Sequence, residues 1–404
     1  MPVMLLVAAT AAAGCTGGGD EPAAPGSPTA AAPARAGSTI SWTDCRFPSA
    51  PGALVRAVAA GGDGAPWTAV GQESGATGVR PAVWTSLDGC AWRRVAVTPL
   101  TPDGERTGFT AVARRGRLVV AQGRSYSQVH GNIRPTLWRS TGGAPLREVE
   151  LPREVFGGER GITVDAVVAT PDAVLATGAY IGPDTFVAAH VWRTTDGADW
   201  TRLPPGPDQS GTATDQLLPR DMAAGRAGTL IVGTAFGIRG GSGFDGAAWY
   251  APTGARQWQR ADLSASGLAG DGDQRLVSDA AVGSGYVAVG TVLTGAGFQL
   301  RSTVSPDGMT WSAGGPLAGT PLPAGGRPTA DVAPLPGRGA IAGTATGGHA
   351  QLWVSPDGRS WTAEEVPGPA DRAAAVVLGP GPDRLVLVVQ TATGPQAHVG
   401  RPAG

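Results

Sequence analysis

Trp84-Thr85-Ser86-Leu87-Asp88-Gly89-Cys90-Ala91-Trp92 decides the fold, because the chain repeats it. It returns as Trp192-Arg193-Thr194-Thr195-Asp196-Gly197-Ala198-Asp199-Trp200, as Ser305-Pro306-Asp307-Gly308-Met309-Thr310-Trp311, and as Trp353-Val354-Ser355-Pro356-Asp357-Gly358-Arg359-Ser360-Trp361. Degenerate copies run from Trp138 to Leu146 and from Trp249 to Trp258. Self-similarity at a period of roughly 40 to 50 residues is the mark of a propeller or a repeat array. Apolar runs surround each copy; in the first unit they are Leu54 to Ala60, Trp67 to Gly71, Ala82 to Ser86 and Trp92 to Val97. Four strands joined by tight turns make one propeller blade.

The inner strand of the unit recurs at Ala57-Val58, Ala111-Val112, Ala166-Val167, Met222-Ala223, Ala280-Ala281, Val332-Ala333 and Ala375-Val376, which predicts an all-β, seven-bladed propeller. The last unit runs out before its fourth strand. At the other end of the chain, Ser41-Trp42-Thr43 matches Ser360-Trp361-Thr362, and Pro48 matches Pro367. The N-terminal strand therefore completes the last blade and closes the ring, leaving no open sheet edge.

Composition agrees with this architecture. The 404 residues include 64 Gly and 35 Pro with 42% hydrophobic residues, a balance of short strands and turns. Net charge is −1, from 31 basic and 32 acidic residues. Every basic residue is Arg, a bias of the kind that high-GC bacterial coding produces. A near-neutral chain without a basic cluster excludes a nucleic-acid groove.

Val3 to Ala13 is apolar and too short to span a bilayer, so it reads as the h-region of a signal peptide. Ala12-Ala13-Gly14-Cys15 resembles a bacterial lipobox, with Ala at position 12 where Leu is usual and no basic residue ahead of the apolar run. That resemblance implies an exported protein, its signal peptide spanning residues 1–15, anchored to the outer face of the cell membrane by lipidated Cys15. The alternative, a buried N-terminal strand, has no core-forming continuation: residues 16–37 are Gly, Pro, Ala, Ser and Thr with few charges, a tether that cannot order itself. The propeller occupies 38–404. Once Cys15 is assigned to the anchor, Cys45 and Cys90 remain, and an oxidising compartment makes a disulfide the economical reading. The four His (His130, His190, His349, His398) are scattered singly, and no Cys pair has ligand spacing, so neither a metal nor a cofactor is expected.

The Ser-x-Asp-Gly-x-x-Trp units resemble the Asp-box, or BNR, repeats of sialidases and sortilin-type propellers, one residue shorter between Asp and Gly. In that family the box is structural. The resemblance implies that Asp88, Asp196, Asp307 and Asp357 bond turn amides, that each Gly takes a positive φ, and that each Trp packs between blades.

In a four-stranded meander, the turn between strands one and two shares a face with the box turn, and these turns are short throughout. The connections between strands two and three, and those passing to the next blade, lie on the opposite face and are long and irregular. Loops carry function on a rigid scaffold, so this long-loop face is the candidate. Blades two to four place Tyr126, His130, Arg134, Tyr180, Arg239 and Phe244 there, types that anchor interfaces and sugars. A sialidase would need an Arg triad, a Tyr–Glu pair and an Asp acid; Arg106, Arg134, Arg153, Arg239, Glu105, Glu154 and Glu159 supply the types without fixing a geometry. Arg80-Pro81 and Arg134-Pro135 recur at equivalent blade positions and read as repeat punctuation. Asp165, Asp221, Asp279 and Asp331 start four successive inner strands beside the channel. They hold either a cation or ligand over it, or backbone amides of their own and neighbouring blades. No phosphate loop or nucleophile elbow is present. The sequence thus points to a monomeric, non-enzymatic binding or scaffold propeller for a protein or glycan, with a sialidase-like glycoside hydrolase as the alternative.

Overall fold

Seven inner strands of the computed structural model line one ring, and each starts a blade of four antiparallel strands, which follow in chain order in blades 1 to 6. The structure describes residues 39–403 apart from 49, 51, 63, 76, 77, 127–132, 157, 238–242, 271, 296, 318–328 and 369. The expected signal peptide, the expected lipidation site Cys15 and the expected tether lie outside the described residues. Blade 1 is built from Leu54–Ala59, Trp67–Gly75, Gly78–Ser86 and Arg93–Val95. Blade 2 (Gly108–Arg115, Leu118–Tyr126, Ile133–Thr141, Leu146–Val149) gains a fifth, parallel strand, Val97–Thr98, on its outer edge. Blades 3 to 6 begin at Ala166, Gln216, Gln274 and Ala330.

Closure follows the sequence expectation. Blade 7 consists of Ala373–Pro380, Leu385–Thr391 and Gly394–Pro402, and its fourth strand is Ile40–Cys45 from the N-terminal side, with Ile40 opposite Pro402 and Cys45 opposite Ala397. Ile40 is buried among Ala333, Ile341, Leu378 and Leu385 of blades 6 and 7. Glu364 of blade 6 accepts from the Thr39 amide at 3.0 Å, the Thr39 hydroxyl at 2.7 Å and the Ile40 amide at 3.4 Å. Cys45 and Cys90 are bonded, tying this strand to the box turn of blade 1 across a sequence separation of 45.

The box turns behave as the resemblance implies. The Asp88 carboxylate accepts from the amides of Cys90 and Ala91 at 2.8 Å each and from the Ser86 hydroxyl at 2.7 Å. Those amide bonds hold its pKa at about 2. Asp196, Asp307 and Asp357 repeat the pattern. Gly89, Gly197, Gly308 and Gly358 all have φ between +72° and +81°, open only to a residue without a Cβ. Each Gly is pressed against the preceding blade: a methyl on Gly89 would meet Val386 of blade 7, on Gly197 Leu118 of blade 2, on Gly308 Tyr250 of blade 4, and on Gly358 Val287 of blade 5. The box Trp closes the turn by donating from its indole N–H to the box Gly carbonyl, at 2.8 Å for Trp92 and 3.1 Å for Trp311. A complete box is therefore a wedge that fills the crevice between its own blade and the one before it.

Candidate functional site

Three aromatic residues that the sequence assigns to loops stand on strands instead. Tyr126 ends the second strand of blade 2, Tyr180 is the last residue but one of the second strand of blade 3, and Phe244 begins the third strand of blade 4. The ladders run further toward the long-loop face than the apolar runs suggest, because backbone pairing continues through Gly, Ser and Asp once flanking strands supply partners. Phe236 stands opposite Phe244, and Tyr180 opposite Ala188. A ring on a strand is positioned more rigidly than one on a loop.

Two half-buried platforms result. In blade 3 the Tyr180 ring lies 4.7 Å from the His190 ring, and the Arg202 guanidinium sits 5.1 Å over the Tyr180 face. Burial, reinforced by the Arg202 charge, lowers the His190 pKa to about 4, so the imidazole is neutral at neutral pH and its Nδ1 finds no protein partner. At the junction of blades 4 and 5, Phe244 lies 5.9 Å from Phe236, and the Arg275 guanidinium covers the Phe244 ring at 3.9 Å. Asp273 fixes Arg275 through two bonds of 2.9 Å each. Cations held over aromatic faces in this way leave half-exposed, preorganised surfaces with both stacking area and donors. His190, Arg202, Phe236 and Arg275 were not singled out in the sequence; the signal was cross-strand pairing, which a single sequence does not display.

Of the other predicted site residues, Arg134 is half-buried opposite Ser125 in blade 2. His130 and Arg239 lie outside the described residues, as do the side chains of Tyr126, Arg153 and Glu159. Glu105 ends a short helical turn, Pro102–Glu105, before blade 2, and Arg106 caps it. Glu148 pins the start of that turn by accepting from the amides of Leu100 and Thr101 and from the Thr101 hydroxyl. Arg80 pairs with buried Glu73 at 3.2 Å, a contact within blade 1.

The inner-strand carboxylates do not share one ladder position: Asp221 stands opposite Val232, Asp279 opposite Ala288 and Asp331 opposite Gly343. Three of them have structural partners. Asp165 pairs with Arg124 of blade 2 and accepts from Thr163. Asp221 accepts from the Met222 amide at 2.9 Å and, across the blade boundary, from the Ser278 hydroxyl at 2.8 Å and the Asp279 amide at 3.2 Å. Asp331 accepts from the Leu378 amide of blade 7 at 2.8 Å. The exception is Asp279. The Val332 amide, which would continue the pattern, is taken by Ser278 at 3.2 Å, and neither Asp279 oxygen closes a hydrogen bond although the residue is only 6% exposed. Burial first, and then the neighbouring Asp221, raise its pKa well above the ordinary carboxylate range; the nearby Ala223 amide pulls weakly the other way. Burial likewise raises Asp331 to about 7.

No family model and no curated protein sequence matches the chain. Among solved structures it is similar to a Trypanosoma rangeli sialidase in complex with the inhibitor DANA (11% identity, TM-score 0.49), covering 87% of this chain and 55% of that one. A protein of unknown function from Dyadobacter fermentans (12%, TM-score 0.48) matches over 90% of this chain and 100% of its own. An ulvan lyase of polysaccharide lyase family PL25 (9%, TM-score 0.49) matches over 75% and 79%. The chain spans about half the length of the sialidase, and likenesses this distant carry no argument about function.

Proposed function

We propose that this propeller is a binding or scaffold module that recognises a protein or glycan through the long-loop ends of blades 2 to 5. The reading is carried by the two aromatic–guanidinium platforms, Tyr180 with Arg202 and Phe244 with Arg275, which are rigid, half-exposed and independent of the channel carboxylates. It is favoured over glycoside hydrolysis by where the three tyrosines with described side chains go. The Tyr180 ring is engaged by His190 and Arg202 rather than by a carboxylate, and Tyr250 and Tyr286 pack against each other at 5.9 Å beside the box turn of blade 5. The resemblance of Ala12–Cys15 to a lipobox supports a position for the module at the outer face of the membrane.

Substituting Tyr180 and Phe244 together by Ala is expected to weaken binding about 30-fold, from roughly 1 kcal/mol lost per platform. The melting temperature should stay within a few degrees of the parent. Glycan-array and co-purification screens on the intact domain supply the ligand; undiminished binding by the double variant sinks this assignment of the face. For the anchor, Cys15→Ala is expected to move the protein from the membrane fraction to the soluble one. Membrane retention of that variant counts against lipidation.

A further inference from the structure

Blade 2 lacks the wedge. Aligned on Trp84 and Trp138, the box Asp is replaced by Gly142 and the box Trp by Leu146, while Gly143 keeps the positive φ, +85°. A methyl on Gly143 would meet nothing within 4 Å, unlike the four box glycines that press on the preceding blade. The crevice between blades 1 and 2 is accordingly open, with a volume of about 780 Å³. Blade 4, whose turn is also degenerate but keeps a buried Trp258, leaves about 110 Å³ against blade 3. The missing indole thus contributes to the cavity.

Its lining is specific in chemistry. Val83, Val119 and Leu146 contribute apolar surface, and Thr68, Thr85, Ser86 and Ser140 bring hydroxyls. Arg93, Arg94 and Arg114 line it against a single carboxylate, Asp88, which the box amides already occupy. Arg94 is paired with Glu73 at 3.0 Å, but among the described residues neither Arg93 nor Arg114 has a carboxylate partner. Arg114 is fixed by donating to the Pro66 carbonyl at 2.6 Å and to the Thr68 hydroxyl at 2.8 Å, while its buried Nε and the buried Thr85 hydroxyl bond nothing. A held guanidinium without a counter-ion, beside unsatisfied hydroxyl and apolar surface, selects an anion with a partly apolar, hydroxylated body.

We propose that the crevice between blades 1 and 2 is a binding site for a small hydroxylated carboxylate of hexuronate type, its carboxylate facing Arg114. The site lies on the box-turn face and is independent of the platforms at the long-loop ends. Titration of the intact propeller with glucuronate, monitored by calorimetry, should show saturable binding at least tenfold tighter than for glucose. Arg114→Met should lose at least tenfold in Kd. Leu146→Trp, which restores the wedge, should abolish binding and raise the melting temperature. The Tyr180→Ala/Phe244→Ala variant should bind glucuronate like the parent, which separates this site from the proposed function. Equal binding of glucose and glucuronate, undiminished binding by Arg114→Met, or loss of binding in the Tyr180→Ala/Phe244→Ala variant each overturns the proposal. Should Leu146→Trp fail to fold, Arg114→Met and the glucose comparison decide it.

Discussion

A chain shortened to begin at Arg46 is expected to melt roughly 10 °C below the parent or to aggregate on expression. The deletion removes the six-residue strand Ile40–Cys45, and with it a buried Ile and the three donors to Glu364. It also removes the disulfide, worth about 3 to 4 kcal/mol in the chain-entropy account. Losing a buried Ile costs a further ~2 to 5 kcal/mol, and each kcal/mol moves the midpoint of a domain this large by roughly 1 to 2 °C. The exposed edge Gly394–Pro402 then invites pairing between molecules. Cys45→Ala/Cys90→Ala is the control, since it breaks only the crosslink and should lose about half as much. Differential scanning calorimetry checks both, and a truncated chain that melts within 3 °C of the parent refutes closure by this strand.

The second large effect is titration of Asp331. Its folded pKa, about 7, lies above the ordinary 3.8, so it contributes stability that is complete below pH 3.8 and lost as pH rises through 7. A displacement of this size is on the order of 4 kcal/mol. His190 runs the other way: its pKa is lowered from 6.5 to about 4, so its contribution grows across that interval and masks part of the loss in the parent. The difference between Asp331→Asn and the parent isolates the carboxyl. Asn keeps an acceptor for the Leu378 amide and does not titrate, so the variant should gain on the parent by a few kcal/mol between pH 4 and pH 8. Asp279→Asn should gain in the same direction. Urea midpoints across that range report it; parallel profiles would mean that Asp331 is ionised at neutral pH.

Blade count and ring closure were legible because each rests on residue identity repeated in register: Trp, Asp and Gly at fixed spacing, and Ser41-Trp42-Thr43 as the missing copy; the Cys45–Cys90 bond was legible because these two cysteines remain once Cys15 is set aside. The carboxylate row shows where that legibility stops. Asp221 and Asp279 are the same letter at adjacent repeats, yet Ser278 partners Asp221 and usurps the Val332 amide, leaving Asp279 alone. That outcome depends on the bulge between Leu276 and Ser278, a backbone irregularity with no residue signature. Likewise Leu146 was visible as a degenerate box, but the cavity it leaves depends on how far blade 1 stands from blade 2.

The ring holds its own two ends together, and this has a mechanical consequence. Ile40 lies opposite Pro402, and the Ala403 amide donates to the Thr39 carbonyl at 2.9 Å. A pull on the N-terminal segment would load the edge strand of blade 7 first and could strip it residue by residue. The strand ends, however, at Cys45, whose bond to Cys90 diverts the load into blade 1. Extension should stall after those six residues in oxidised protein and run on through the blades once the crosslink is reduced, giving the propeller a covalent stop against tension.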